Sequence, residues 1–242
     1  MGMQVKLIIF LVLALLINGC AHIGPSYGVY VDSITAPGSD SKTKYILLPN
    51  NKDTSSDDLQ YLEYKPYLVR ALKSNGYREV NSIDDADIAV FVGYGIGDPQ
   101  TEQHTYSVPT WGQTGVSSSR TYGTFNSYGN TSSYSGTTIY TPTYGITGSE
   151  TKIRTKTTYF RFISLVAYDV NEYKKSKKMK QVWKTDITSS GSSGDLRRAF
   201  PVLVAASEPY IGKDTNKKVH IKIRENDDSV NKLKGISVKS NQ

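Results

Sequence analysis

Ala86-Asp87-Ile88-Ala89-Val90-Phe91-Val92-Gly93-Tyr94-Gly95-Ile96-Gly97 is nearly continuously apolar on both of its alternating faces. That pattern belongs to a central strand covered on one side and packed at least partly on the other. Its glycines at 93, 95 and 97 share one face, which lets a second backbone or an aromatic ring come close, or marks a bend. The stretch is not a dinucleotide-binding loop, because the glycine spacing is wrong and Asp98-Pro99 stands where a helix would have to begin.

Other elements assemble around this strand. Tyr45-Ile46-Leu47-Leu48-Pro49, closed by proline and the polar Asn50-Asn51-Lys52-Asp53, reads as the first core strand. After the capping cluster Ser55-Ser56-Asp57-Asp58, a helical spacing of Tyr64, Leu68 and Leu72 runs to Asn75-Gly76. Pro66 makes the regular helix start near Glu63 or Tyr64, or kink there. Residues 157 to 170 carry a second strong strand, with Phe160, Phe162, Val166, Tyr168 and Val170 on one face and Ile163, Leu165 and Ala167 on the other. Its partner is expected over 181 to 188. Lys174, Lys175, Lys177, Lys178 and Lys180 between them read as a solvated hairpin tip, with contact to lipid phosphates as the alternative. A second helix follows Ser192-Ser193-Gly194-Asp195 and reaches about Tyr210, and Lys218 to Arg224 alternates as a half-exposed last strand. Arg197 and Arg198 beside that helix entry are weak anion-site candidates, weighed against pairing with nearby carboxylates.

Between the two central strands lies a segment of different character. In residues 101 to 150, Ser, Thr, Gly and Tyr fill 34 of 50 positions, and Glu102, Arg120 and Glu150 are the formal charges. Such a composition builds no core of its own. The phrase recurs as Thr121-Tyr122-Gly123, Ser127-Tyr128-Gly129 and Thr143-Tyr144-Gly145, with a copy at Ser26-Tyr27-Gly28. Tyrosine and threonine favour extended pairing and glycine supplies turns, so a long hairpin or irregular β-arm is expected.

The N-terminus reads as an address. Residues 7 to 17 form an eleven-residue apolar run flanked by Lys6, too short for the roughly 20 residues of a transmembrane helix. It ends Leu16-Ile17-Asn18-Gly19-Cys20, which resembles the lipobox of bacterial lipoprotein precursors, although Asn18 departs from the residues usual there. The expectation is a removable leader over 1–19 and lipidation of Cys20, whose thiol is the nucleophilic side chain at that point. Ala21 rather than aspartate follows, which by the same resemblance favours the outer membrane. Residues 20–44 then read as lipidated cysteine and tether, 45–224 as an α+β domain with the low-complexity insertion 101–150, and 225–242 as a polar tail.

Composition narrows the function classes. The net charge of +7 falls by one with the lysine of the leader, a basic excess too modest to imply nucleic acid. With the only cysteine lipidated, no thiol remains for a disulfide or a metal. His22, His104 and His220 share no metal-ligand spacing, and neither a Gly-x-Ser-x-Gly elbow nor a His-Glu-x-x-His motif occurs. No catalytic residue, metal or cofactor is therefore expected.

Ala86 to Gly95, Gln181-Val182-Trp183-Lys184, and Ser192 to Pro201 together resemble uncharacterised bacterial lipoproteins of the domain of unknown function 4136 type. That resemblance, over roughly residues 44 to 224, implies an envelope location and an α+β domain and assigns no activity. The fold class expected is α+β: a mixed, mainly antiparallel sheet with two helices, plus the Tyr/Ser/Thr/Gly-rich arm. The function expected is a non-enzymatic structural or interaction module held on the membrane through Cys20. Tyr122, Tyr128, Tyr134, Tyr140 and Tyr144 form its candidate surface, toward an envelope protein or a sugar polymer. Self-association through the arm is the alternative, and an envelope hydrolase with an unrecognised site the third reading.

Overall fold

The computed structural model of the chain describes residues 24–52 and 54–236. The expected leader, Cys20 and His22 lie outside the described residues. Eight strands occur among the described residues: β1 (Ser26–Thr35), β2 (Lys44–Pro49), β3 (Arg78–Glu79), β4 (Ile88–Ile96), β5 (Gln100–Tyr128), β6 (Thr131–Asp169), β7 (Gln181–Gly191) and β8 (Val219–Arg224). The four helices there are α1 (Leu59–Ser74), α2 (Val170–Ser176), α3 (Leu196–Ser207) and α4 (Asp228–Lys234). The strands share one sheet in the order β3-β2-β4-β6-β7-β1-β8, and β5 pairs with β6. β2 runs parallel to β3 and β4, whereas β4, β6, β7, β1 and β8 follow one another antiparallel. The described residues form two compact units, a body on either side of the insertion, up to Gln100 and from Thr157, and a ribbon of Thr101–Lys156.

In the body, α1, α3 and α4 pack on one another and supply the core over one face of the sheet. α3 is the central one. Leu196 and every residue from Ala199 to Ser207 are buried, and the Phe200 ring stacks on Tyr64 at 4.0 Å with Tyr94 edge-on at 5.8 Å. Beneath the helices the inward positions of the strands alternate as the two-residue period requires: Val29 and Val31 on β1, Val90 and Val92 on β4, Ile163 and Leu165 on β6 are fully buried. The opposite face has a smaller cluster of Ala86, Ala89 and Val170, with Ile46, Leu48 and Phe91 against it.

The expected two-helix α+β domain is corrected to a mainly β chain with four helices. The two helices missed, α2 and α4, have seven residues each. At that length the helical period barely repeats, and each is held by a local cap instead: Asp169 accepts from the Glu172 N–H at 3.0 Å, and Asp227 from the Ser229 N–H at 3.0 Å. α4 buries Val230 and Leu233 and receives a hydrogen bond from the Arg70 guanidinium of α1 on the Leu233 carbonyl, so residues 228 to 234 are not a loose tail. α2 carries Lys174 and Lys175, where a plain hairpin tip was expected.

The tether also gives way to structure, because Ser26–Thr35 is an interior strand between β7 and β8. Tyr27, Val29, Val31 and Ser33 point inward on alternate positions, and the dipeptides Gly24-Pro25 and Pro37-Gly38 flank the strand instead of belonging to a free linker. α1 in turn begins at Leu59, earlier than Pro66 suggested, with the Asp58 carboxylate accepting from the Tyr61 N–H at 2.9 Å. Pro66 is accommodated on the exposed side of the helix, where water can take the carbonyl that proline leaves unpaired.

One glycine outside the sheet is sensitive to substitution. Gly212 has φ +70°, its N–H donates to Thr185 Oγ1 at 3.3 Å, and a Cβ there would collide with the Tyr77 hydroxyl. Gly212→Ala is expected to cost at least about 1–2 kcal/mol from the left-handed backbone alone, visible as a lower urea midpoint with unchanged slope. An unchanged midpoint would show that the loop relaxes freely.

Candidate interaction surface

The ribbon is the part of β5 and β6 within Thr101–Lys156, joined at Gly129-Asn130 with Gly129 at φ +62°. A two-residue connection with positive φ at its first position matches the twist of paired strands, and glycine supplies that φ without steric cost. Threonine and serine hydroxyls meet across the strands: Ser127 with Ser132 at 3.3 Å, Thr121 with Thr138 at 2.9 Å, and Thr114 with Thr143 at 3.4 Å. The insertion expected over 101–150 thus forms an ordered hairpin, extended to Lys156.

All five candidate tyrosines stand on it, exposed. Tyr128, beside the turn, is 93% exposed, and Tyr122, Tyr134, Tyr140 and Tyr144 range from 59% to 70%. In β6 the two-residue period puts Tyr134, Tyr140 and Tyr144 on one face with Ser132 and Thr138, and Ser133, Ser135, Thr137, Ile139, Thr141 and Thr143 on the other. Tyr134 lies flat across the strands, its ring filling the space that side chains at Gly123 and Gly136 would occupy. The glycines of the repeated phrase therefore make room for rings as well as a turn. Three aromatics escaped the sequence reading: Tyr106, Trp111 and Phe125 are 49%, 71% and 66% exposed on the same ribbon. They lie outside the Tyr-Gly phrase, and their signal was the uniformly core-poor composition around them.

The remaining candidates are placed differently. Arg197 binds Glu63, with Nε to Oε1 at 3.0 Å, and Arg198 forks onto both oxygens of Glu225 at 2.8 Å. Asp195 already caps α3 by accepting from the Arg198 N–H. With both guanidiniums paired and a carboxylate on the helix end, the anion-site candidate gives way to carboxylate pairing. The lysine group sits at the end of the sheet opposite Ser26, where Lys174 pairs with Asp84 at 3.0 Å and Lys177 lies over the Tyr173 ring. Beside it a groove of about 390 Å³ is lined by Leu48, Phe91, Tyr168 and Met179.

The glycine stripe of β4 admits an aromatic ring, as its spacing suggested. A Cβ on Gly95 would stand 2.8 Å from the Phe162 ring, and Phe160 lies beside Gly97. Sequence reasoning missed Arg161, which alternation with Ile163 and Leu165 places on the inner face, 2% exposed. Its Nη2 donates to Ser189 Oγ at 3.4 Å and its guanidinium lies 5.2 Å from the Tyr27 ring centre. Burial lowers the pKa of this arginine, and the nearby Tyr27 opposes that shift. His104 is exposed beside Glu102 on the ribbon, whereas His220 stacks on Tyr30 in the body at 4.5 Å. Among the described residues no group of three or more His, Cys, Asp or Glu side chains is placed to hold a metal ion.

No protein-family model and no curated protein matches the sequence. Among solved structures, a PDZ domain protein from Parabacteroides distasonis is similar at 10% identity and a TM-score of 0.35. The match covers 85% of this chain and 41% of that one, and at that score it carries no argument about function.

Proposed function

We propose that this chain is a lipid-anchored interaction module of the bacterial envelope, held through Cys20, most simply in the outer membrane, and acting by binding rather than by catalysis. The observation that carries the reading is the ribbon: a long two-stranded hairpin whose tyrosines, Trp111 and Phe125 are exposed. A bare two-stranded hairpin is at best marginally stable in water, and tyrosine brings large amphipathic contact area at small entropy cost. Such a surface suits an envelope protein or a sugar polymer. The lipobox-like Leu16 to Cys20 and Ala21 support the anchor and its membrane.

The test is in-cell crosslinking of the anchored chain through a photoreactive residue replacing Tyr128, followed by mass spectrometry. A dominant adduct is expected. Absence of any adduct at Tyr128, repeated at Tyr134 and Tyr144, would remove the ribbon from the reading.

A further inference from the structure

The ribbon has more to offer than its faces. Within it β5 pairs with β6, and no third strand joins the pair among the described residues, so each strand keeps one open edge. On an antiparallel strand every second residue directs its N–H and C=O to such an edge, which makes the edge a template for another strand. Proteins ordinarily blunt exposed edges with lysines, inward charges or proline. Here the protection is nearly missing: from residue 103 to residue 149 Arg120 is the one formal charge, and Pro109 and Pro142 are the two prolines. The lysine and arginine of the final residues, Lys152, Arg154 and Lys156, come only near the end of the unit.

The chemistry inside the ribbon is self-complementary. Hydroxyls meet hydroxyls across the strands, as in Thr121 with Thr138 and Ser127 with Ser132, and a hydroxyl both donates and accepts. A ladder of this kind can repeat across a strand boundary without a change of residue type, and with so little charge two copies do not repel along their edges. Glycines opposite rings, as Gly123 and Gly136 beneath Tyr134, leave the faces flat enough for close pairing.

We infer that the partner of the ribbon is a second copy of this chain, with β5 of one ribbon adding antiparallel to β6 of the next. This inference rests on the ribbon being the binding surface. Antiparallel β5-to-β6 addition continues the alternation already present in each hairpin, and it keeps the Gly129-Asn130 turns of all copies at the same end. The contact is heterologous, so it propagates beyond a dimer or closes into a ring. Each added strand also relieves the marginal stability of a two-stranded hairpin.

The experiment is sedimentation velocity of the full-length chain in detergent over a hundredfold range of concentration, beside two variants. Ser119→Lys with Ser135→Lys puts one lysine on each strand at positions without a cross-strand hydroxyl bond, whereas Ser119→Thr with Ser135→Thr is the conservative control. The wild type and the threonine variant should pass from monomer to higher oligomers. The lysine variant should need at least about tenfold more protein to do so. A wild type that stays monomeric throughout, or a lysine variant that assembles as readily, overturns the inference. Crosslinking through Tyr128, Tyr134 and Tyr144 separates the two failures: a monomeric chain with an adduct to a different envelope protein ends self-pairing and leaves the interaction reading standing, and a monomeric chain without adducts at any of the three ends both.

Discussion

Between pH 10 and pH 12 the body is expected to lose most of its stability in one cooperative step. Tyr45, Tyr61 and Tyr64 are each 1–2% exposed in the layer between α1 and the sheet. Burial pushes the phenols of Tyr61 and Tyr64 up to about 12, with neighbouring Glu79 adding to the shift at Tyr61. For Tyr45 the shift is in the same direction and larger, again chiefly from burial. A tyrosine in the unfolded chain ionises near pH 10. Because the folded pKa lies above the unfolded one, the stability these groups contribute is complete below pH 10 and is lost as pH rises through the folded value. In that window the native state holds protons that the unfolded chain has released, so unfolding becomes easier by about 1.4 kcal/mol per pH unit for each such tyrosine. Three together give a slope of roughly 4 kcal/mol per unit, against a total stability of about 5–15 kcal/mol for a typical domain.

The measurement is far-ultraviolet circular dichroism alongside phenolate absorbance at 295 nm. A late, steep rise in absorbance should coincide with loss of the dichroism signal. Tyr61 donates to the Leu47 carbonyl at 2.9 Å, a bond that ionisation would abolish along with burial. Tyr61→Phe with Tyr64→Phe should flatten the alkaline slope even though it sacrifices that bond. If all phenols ionise while the dichroism stays constant, the three rings are not sealed in the core.

The second large effect is expected at the ribbon. Replacing Tyr122, Tyr128, Tyr134, Tyr140 and Tyr144 together by serine should reduce the Tyr128-proximal crosslink yield, read from a photoreactive residue at Phe125 in both backgrounds, by more than about tenfold. Aromatic side chains dominate contact surfaces of this kind. The body should keep its urea midpoint, since all five side chains belong to the unit Thr101–Lys156 and none contributes to the buried cluster around Phe200. The same five positions changed to phenylalanine keep the area and remove only the hydroxyls, and most of the yield should survive. That second variant separates loss of surface from loss of the hairpin, because Tyr134 also covers Gly123 and Gly136. Full yield from the serine variant would mean that the rings are not the contact.

Much of the body was legible because its signals are local. Continuous apolar runs at 45 to 49 and 88 to 96, the alternation of 219 to 224, and the spacing of Tyr64, Leu68 and Leu72 each reach the element they imply. β1 was misplaced although Tyr27, Val29, Val31 and Ser33 alternate, since the turn dipeptides Gly24-Pro25 and Pro37-Gly38 bracket it and Ser26, Gly28, Asp32 and Ser33 break up its apolar residues. Its burial comes from β7 on one side and β8 on the other, separated from it by about 150 to 200 residues of chain. The same holds for Arg197 and Arg198, whose partners Glu63 and Glu225 come from different parts of the sequence.

By itself the sequence determined the period of each strong strand, the polar clusters that hold the caps of the two longer helices, and the tyrosine-rich composition that cannot bury itself. These depend on contacts within a few residues, where spacing and side-chain chemistry suffice. The tertiary structure alone decided that β1 lies inside the sheet, that Arg161 is buried beside Tyr27, that α4 packs on α1 and α3, and that the ribbon keeps two open edges. Those outcomes are set by which distant segments pair, and the free energy of pairing is shared between both partners, so neither stretch of sequence carries it alone.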